Sequence, residues 1–255
     1  MISFRATCNV AAQIALSLWA VFQLGCARTP KPFSDEWRQV LKTALENDDG
    51  GTVAGLIKSA PLRDRKDLAA FLLISAVEQH KKGIAVRCLE EGADVNYQDP
   101  ERDSATPLLA AVTKKDVGLT ELLLDRGADP NARRTDKEGK QTTILHDAVG
   151  LDCPIELIHL LIQRGAQVNA KTSKEIPPIV SAAAVGRLEV VKLLVNAGAD
   201  VGASSDGFSA SQAAEWGCFP DVGDYIRRQE RLSGHFASDP WNTQLARQNC
   251  AAKRR

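Results

Sequence analysis

The sequence predicts an all-α fold: a solenoid of about five to six helix–turn–helix units with hairpin fingers between them. Three observations carry that prediction. A short Gly-Ala-Asp-x-Asn motif and its relatives occur four times, at intervals of 35, 38 and 33 residues. A second motif, built on Thr-Pro-Leu, precedes it in constant phase. Only 5% of the 255 residues are aromatic whereas 44% are apolar, which suits a core of Leu, Ile, Val and Ala. Self-similarity at such a period marks a repeat array, in which no unit buries its faces alone and neighbours must stack.

The first motif reads Gly92-Ala93-Asp94-Val95-Asn96, Gly127-Ala128-Asp129-Pro130-Asn131, Gly165-Ala166-Gln167-Val168-Asn169 and Gly198-Ala199-Asp200-Val201-Gly202. The second reads Thr106-Pro107-Leu108-Leu109-Ala110-Ala111-Val112, Thr143-Ile144-Leu145-His146-Asp147-Ala148-Val149 and Pro177-Pro178-Ile179-Val180-Ser181-Ala182-Ala183, each 21 or 22 residues before a glycine of the first. Phe71-Leu72-Leu73-Ile74-Ser75-Ala76-Val77 holds the same place before Gly92 and departs at its first two positions. Each element follows from its residues. Thr-Pro opens a helix, because the hydroxyl caps free backbone N–H groups and Pro suits the first turn. Paired Ala residues let two helices approach closely. Leu122-Leu123-Leu124 and Leu193-Leu194 supply the apolar stripe of the second helix. The glycine then ends that helix where a left-handed backbone is needed, and Asp-x-Asn supports a tight turn.

Both motifs, in fixed phase over four units, resemble the ankyrin repeat, whose period is about 33 residues. The resemblance covers residues 37–232. Its ends are atypical, as capping units are. Residues 37–45 and 52–59 read as a degenerate N-terminal helix pair. Asp206-Gly207-Phe208-Ser209-Ala210 opens a last unit whose polar second helix covers residues 221–231. Residues 233–255 form a tail without a clear period.

The departures from regular spacing point to function. The family step from Gly-Ala-Asp to the next Thr-Pro is about 12 residues, given the period. Here the successive steps are 14, 16, 12 and 11 residues, so two consecutive fingers are lengthened. One extra residue also enters the inter-helix turn near residues 150–153. Loops held by a rigid scaffold carry function, and the resemblance implies that fingers and first helices form the concave face that grips partners. The expected contact residues are Tyr97, Arg102, Arg133, Arg134, Lys137 and Lys140, with Lys171 and Lys174 in the third finger. Trp216, after the last first helix, is a further contact candidate or a packing residue of the cap. Residues 133–140 carry four basic and two acidic side chains, suited to an acidic patch on a partner.

The N-terminus reads as a targeting segment. Arg5 is the one charged residue among residues 1–7; a mostly apolar run over residues 10–24 and the small residues Gly25-Cys26-Ala27 follow. That is the order of a secretory signal peptide, and the run is shorter than the ~20 residues that span a bilayer. Leu24-Gly25-Cys26 also resembles a bacterial lipobox, with Gln23 where that family favours Leu. Two readings stand: lipidation at Cys26, or cleavage after Ala27. Ala27 after the cysteine resembles the outer-membrane pattern. The expected plan is therefore a signal peptide over 1–27, a linker over 28–36, the repeat domain over 37–232 and the tail over 233–255. The location is the periplasm, soluble or anchored to the outer membrane as a lipoprotein.

Chemistry-bearing patterns are missing from the sequence. His80, His146, His159 and His235 form no His-Glu-x-x-His, and no cysteine pair has metal-ligand spacing. There is no Gly-x-Ser-x-Gly elbow and no phosphate loop. No catalytic residue, metal or cofactor is expected. His146 fills the family's structural position and is expected to hydrogen-bond within its own turn; His159 falls on a second helix, facing solvent or groove. Cys88 replaces a core Leu. Cys153 and Cys218 lie two units apart, too far for a bond, which leaves Cys218 and Cys250 as the plausible pair. With 32 basic and 32 acidic residues, nothing favours nucleic acid as a target. The expected function is an exported scaffold binding one protein partner. It resembles immunity proteins that neutralise toxic effectors such as phospholipases by occlusion. The alternatives are a periplasmic accessory protein in stress protection and a secreted effector that binds host proteins.

Overall fold

The computed structural model describes residues 35–47, 49–60, 65–99, 105–136, 138–205, 208–234 and 250. The targeting segment with Cys26, the finger residue Arg102 and the loop residue Lys137 lie outside them. The chain divides into two compact units, Met1–Asp99 and Pro100–Arg255.

The first unit contains α1 (Asp35–Glu46), α2 (Gly50–Ser59), α3 (Arg65–Glu78) and α4 (Lys82–Glu90). The second contains α5 (Pro107–Thr113), α6 (Val117–Asp125), β1 (Arg133–Thr135), β2 (Gln141–Thr143), α7 (Ile144–Gly150), α8 (Ile155–Gln163), α9 (Pro178–Ala184), α10 (Leu188–Asn196), β3 (Ser204–Ser205), β4 (Phe208–Ser209), α11 (Ala210–Trp216) and α12 (Pro220–Leu232). The twelve helices among the described residues are six antiparallel-type pairs in sequence, and the strands form two small antiparallel hairpins. No described helix is long and apolar enough to cross a membrane.

In the first unit, α3 packs on α4 and α2 lies against both. Leu72, Leu73, Ile74, Ala76 and Val77 of α3 are fully buried, joined by Ile57 from α2 and Cys88 from α4. Thus the stretch that departs from Thr-Pro at Phe71 still makes an apolar first helix.

In the second unit the helices stack in two layers. First helices stack as α5, α7, α9 and α11, and second helices as α6, α8, α10 and α12. The small residues Ala111, Ala148, Ala182 and Ala214 are each 0% exposed, which is why the inner layer can pack closely. Leu123, Leu161 and Leu194 fill the space between layers and are likewise fully buried. Fully burying one such side chain contributes about 1.5–3 kcal/mol.

Helix starts obey the capping logic. Thr106 Oγ1 accepts from Leu109 N at 3.1 Å, and Thr143 Oγ1 from His146 N at 3.4 Å. Ser209 forms a reciprocal capping box with Gln212. Second helices end at Gly92, Gly127, Gly165 and Gly198, whose φ angles lie between 87° and 94°; a side chain there would be strained. The inter-helix turns impose a second left-handed position. Gly186 occupies it between α9 and α10, but His80, Lys115, Asp152 and Cys218 occupy it elsewhere with φ between 54° and 65°. The turn between α7 and α8 has four residues, Leu151 to Pro154, where the flanking turns have three. Cys153 keeps the place of Asp116 and Arg187, so Pro154 is the added residue, one position beyond the expected span.

Candidate protein-binding surface

The side of the second unit made by the fingers is built from the turn upward. Where the first motif has an aspartate, it closes the turn: Asp129 Oδ1 accepts from Asn131 N at 2.8 Å and Asp200 Oδ1 from Gly202 N at 2.9 Å, and in the first unit Asp94 Oδ1 accepts from Asn96 N at 2.9 Å. The asparagine does something the sequence reading missed. Asn131 Nδ2 donates to Gly165 O at 3.0 Å, and its Oδ1 accepts from Gln167 N at 2.8 Å. Asn169 repeats this with Gly198 O and Asp200 N, at 3.1 and 2.9 Å. Each asparagine therefore stitches its turn to the same turn one unit on. Gly202 replaces the next asparagine and ends the ladder; that substitution was visible in the sequence.

The lengthened second finger is a true hairpin. Arg133 pairs with Thr143, Arg134 with Thr142 and Thr135 with Gln141. Its tip turns on Asp136, whose Oδ1 accepts from Glu138 N and Lys140 N at 2.9 and 2.8 Å, and on Gly139 at φ 77°. The third finger docks on it: Ser173 N donates to Gln141 O at 2.9 Å, and Gln141 N to Ser173 Oγ at 3.1 Å. The fourth docks on the third through Ser205 Oγ, which donates to Lys174 O at 3.1 Å.

The basic residues expected to reach a partner are placed as follows. Arg133 is exposed but donates to Lys171 O at 3.1 Å, tying finger two to finger three. Arg134 is half-buried and pairs with Asp147 at 3.4 Å. Burial raises the Asp147 carboxyl above its usual range, against the lowering effect of Arg134 and Thr142. Both arginines thus serve the scaffold. Lys140 pairs with Glu138, and Lys171 with Glu175 at 3.3 Å. Such exposed pairs contribute about 0–1 kcal/mol, so a partner carboxylate can replace either acid. Lys174 is exposed at the tip of finger three, and Tyr97 is half-buried in the first unit. Trp216 is 70% exposed, touching Phe208 edge-on at a centroid distance of 6.3 Å. A disulfide joins Cys218 to Cys250 with their Cα atoms 5.4 Å apart. Cys88 and Cys153 are buried free thiols, and burial pushes the Cys88 thiol up to about 12. His159 is exposed on α8.

His146 joins two units. Its Nε2 lies 2.8 Å from Ile176 O and its Nδ1 2.8 Å from Thr143 Oγ1. A carbonyl only accepts, so Nε2 carries the proton and Nδ1 accepts from the hydroxyl. Burial lowers its pKa below 6.5; the Ile176 bond opposes this, and Arg133 adds to it. The folded state therefore refuses a proton that the unfolded chain accepts. Stability is complete above about 6.5 and falls as pH drops from there towards the folded value. Thermal melts from pH 8 to 5 should show this loss. His146→Gln should cost about 1–2 kcal/mol at pH 8 and flatten the melt profile in that window. An equally steep profile in the variant would assign the titration elsewhere.

Among the described residues no group of three or more His, Cys, Asp or Glu could hold a metal. The stacked helix pairs, stitched turns and projecting fingers define a repeat scaffold of the protein-binding class. The chain belongs to the ankyrin-repeat family: the pattern of three ankyrin repeats matches residues 72–172, and that of a single repeat matches residues 177–206. It is similar to alpha-latrocrustotoxin-Lt1a of Latrodectus tredecimguttatus, 25% identical over 179 residues, covering 66% of this chain and 11% of the toxin. An ankyrin repeat protein of Fowlpox virus is 29% identical over 150 residues, covering 58% of this chain and 42% of its own length. The human 2-5A-dependent ribonuclease is 40% identical over 79 residues, covering 31% of this chain and 10% of the enzyme. This chain thus spans less than half the length of each of these relatives.

Proposed function

We propose that this protein is an exported scaffold that binds one protein partner through the fingers of its second unit, and that it acts by covering the partner's working surface. One observation carries the binding face: fingers two, three and four are laced to one another by Gln141, Ser173, Arg133 and Ser205. They present Lys140, Lys171 and Lys174 on a pre-ordered edge, suited to an acidic patch. Export is supported by the signal-like residues 1–27, with Cys26 lipidated or removed. It is also supported by the Cys218–Cys250 bond, since such bonds persist in oxidising compartments. In its most specific form the partner is a toxic hydrolase such as a phospholipase, and this chain is its antidote. A stress-protection accessory role in the periplasm uses the same face.

Capture tests the reading. The tagged chain from Ala27 onward is incubated with cell-envelope extract and with the products of neighbouring genes. One stoichiometric partner is expected, lost when Lys140, Lys171 and Lys174 are all changed to Glu while the circular-dichroism melt is unchanged. Inhibition of a captured hydrolase supports the antidote form. A partner retained by the charge-reversed chain removes the fingers from the interface, and a captured partner without hydrolytic activity removes the antidote form.

A further inference from the structure

Trp216 keeps a large indole in water, with an edge contact to Phe208. It is the seventh residue after Ser209, the cap of α11. The seventh residues after the caps of α5, α7 and α9 are Thr113, Gly150 and Ala184, all exposed and none of them large. α9 packs on α11, and Gly217 lies so close to it that a Cβ there would run into the Ala184 carbonyl. The indole thus has a low neighbour on the α9 side and stays open. A helical side chain leans towards the N-terminus of its helix, which carries the indole back to Phe208 at the base of finger four. Ser205, the strand partner of Phe208, donates to Lys174 O at 3.1 Å. The indole is therefore continuous with the laced fingers, and Lys174 beside it is exposed.

Building on the finger reading above, we propose that this surface takes an extended segment of the partner carrying acidic side chains and, at one end, a large apolar side chain that Trp216 selects. Charge decides the acidic part. Residues 133–140 and 171–175 hold six basic and three acidic side chains. An indole face attracts cations as well as apolar groups, but the neighbouring lysines repel a cation, so an apolar side chain gains most there. Covering it and the indole together removes both from water. Aromatic anchors carry much of the energy of such contacts, so the indole decides which acidic segment is held. The stack decides the order. Along it come Lys140 on finger two, Lys171 and Lys174 on finger three, then Phe208 and Trp216 in the last unit. Packed helices lie about 8–10 Å apart, and an extended chain rises about 3.3 Å per residue. One unit therefore matches about three residues of the segment, which places acids about three and six residues from the apolar side chain.

Selection of a displayed library of random peptides on the oxidised chain from Ala27 onward tests this. Enriched peptides should share acids about three and six residues to one side of a single large apolar residue. Fluorescence anisotropy of a labelled enriched peptide then measures its affinity. Trp216→Ala should weaken binding at least about tenfold, and Trp216→Phe should keep most of it. Changing the apolar residue of the peptide to Ala should cost as much, and combining it with Trp216→Ala should cost little more, because the two remove one contact. An unchanged circular-dichroism melt for Trp216→Ala excludes a folding defect. Reversal of Lys140, Lys171 and Lys174 to Glu should abolish binding. Acidic peptides bound equally by Trp216→Ala, and lost on the lysine reversal, would overturn the role of Trp216 and leave the finger reading standing. Peptides indifferent to the lysine reversal would overturn both. Enrichment of peptides without this order, or no enrichment, would overturn the proposed segment.

Discussion

Cys250→Ser, or mild reduction of the native chain, should destabilise the C-terminal end of the array by about 3–4 kcal/mol. The bond closes a segment of 32 residues, and loop-closure entropy for a span of that length gives this magnitude. The effect should be local. Stability in a repeat array is a sum of unit and neighbour terms, so α11 and α12 should fray before the units behind them. Limited proteolysis within α12 and the lowest-temperature transition of a thermal melt would both report it. A thiol titration supplies the control. The oxidised chain from Ala27 onward should show no fast-reacting thiol, because Cys88 and Cys153 are buried and burial raises both pKa values. Mild reduction should expose two. Proteolysis and melting that do not change on reduction would show that the tail adds nothing to the cap.

Arg187→Ala should be the most damaging single change outside the apolar core, costing about 2–4 kcal/mol. Arg187 sits in the turn between α9 and α10, with only 14% of its side chain exposed. It reaches back one unit and donates to Ala148 O at 3.3 Å, Val149 O at 3.1 Å and Cys153 O, while Nε pairs with Asp152. Ala148 and Val149 lie in the last turn of α7, where their carbonyls also accept from Cys153 N at 3.1 Å and Asp152 N at 3.4 Å, and Cys153 lies in the turn that follows, so the guanidinium adds a second donor to carbonyls at the end of the helix. The turn between α7 and α8 is the one enlarged by Pro154, so one guanidinium holds the irregular joint of the stack. Arg187→Lys should recover less than half of the loss, because an ammonium cannot fork to three acceptors. Chemical denaturation of the three proteins would rank them. A cost for Arg187→Ala below about 0.5 kcal/mol, the size of an ordinary surface change, would mean water satisfies the carbonyls equally well.

The helix pairs and their ends were legible because each was specified locally. Thr106, Thr143 and Ser209 cap the helix they begin, and Gly127 or Gly198 ends the helix just before it. The inter-unit links at the inter-helix turns were not legible, because their partners lie about one repeat away and share no residue type. The place held by Arg187 is Asp116, Cys153 or Phe219 in the other units, so no period shows there. Cys153 reaches back in its own way, its Sγ donating to Val112 O at 3.4 Å, and Phe219 covers Gly186 so closely that a Cβ on that glycine would run into the ring. The left-handed turn residues Lys115 and Asp152 hid for a different reason: the chain spends a non-glycine there, and only the backbone reveals it. The candidate surface was half legible. Its proposed place on the fingers came from the spacing, and Trp216 shows a feature of each of its two readings, being 70% exposed and in edge contact with Phe208. That Arg133 and Arg134 brace the hairpin depends on Lys171 O and Asp147, which charge counting along the chain cannot supply.

The lacing of the fingers has a kinetic side. A loop that organises itself only when its partner arrives gives up freedom at that moment, about 0.5–1.5 kcal/mol for each long side chain immobilised. Here the hairpin at residues 133–143 and the turn at 171–176 are already set against each other before any encounter. If the fingers form the interface proposed above, a matching partner would meet a finished shape and bind with little rearrangement, and differences in affinity among its relatives would appear as differences in residence time. The same stiffness would make such a surface intolerant: a partner with one misplaced side chain would find no loop that can move aside for it.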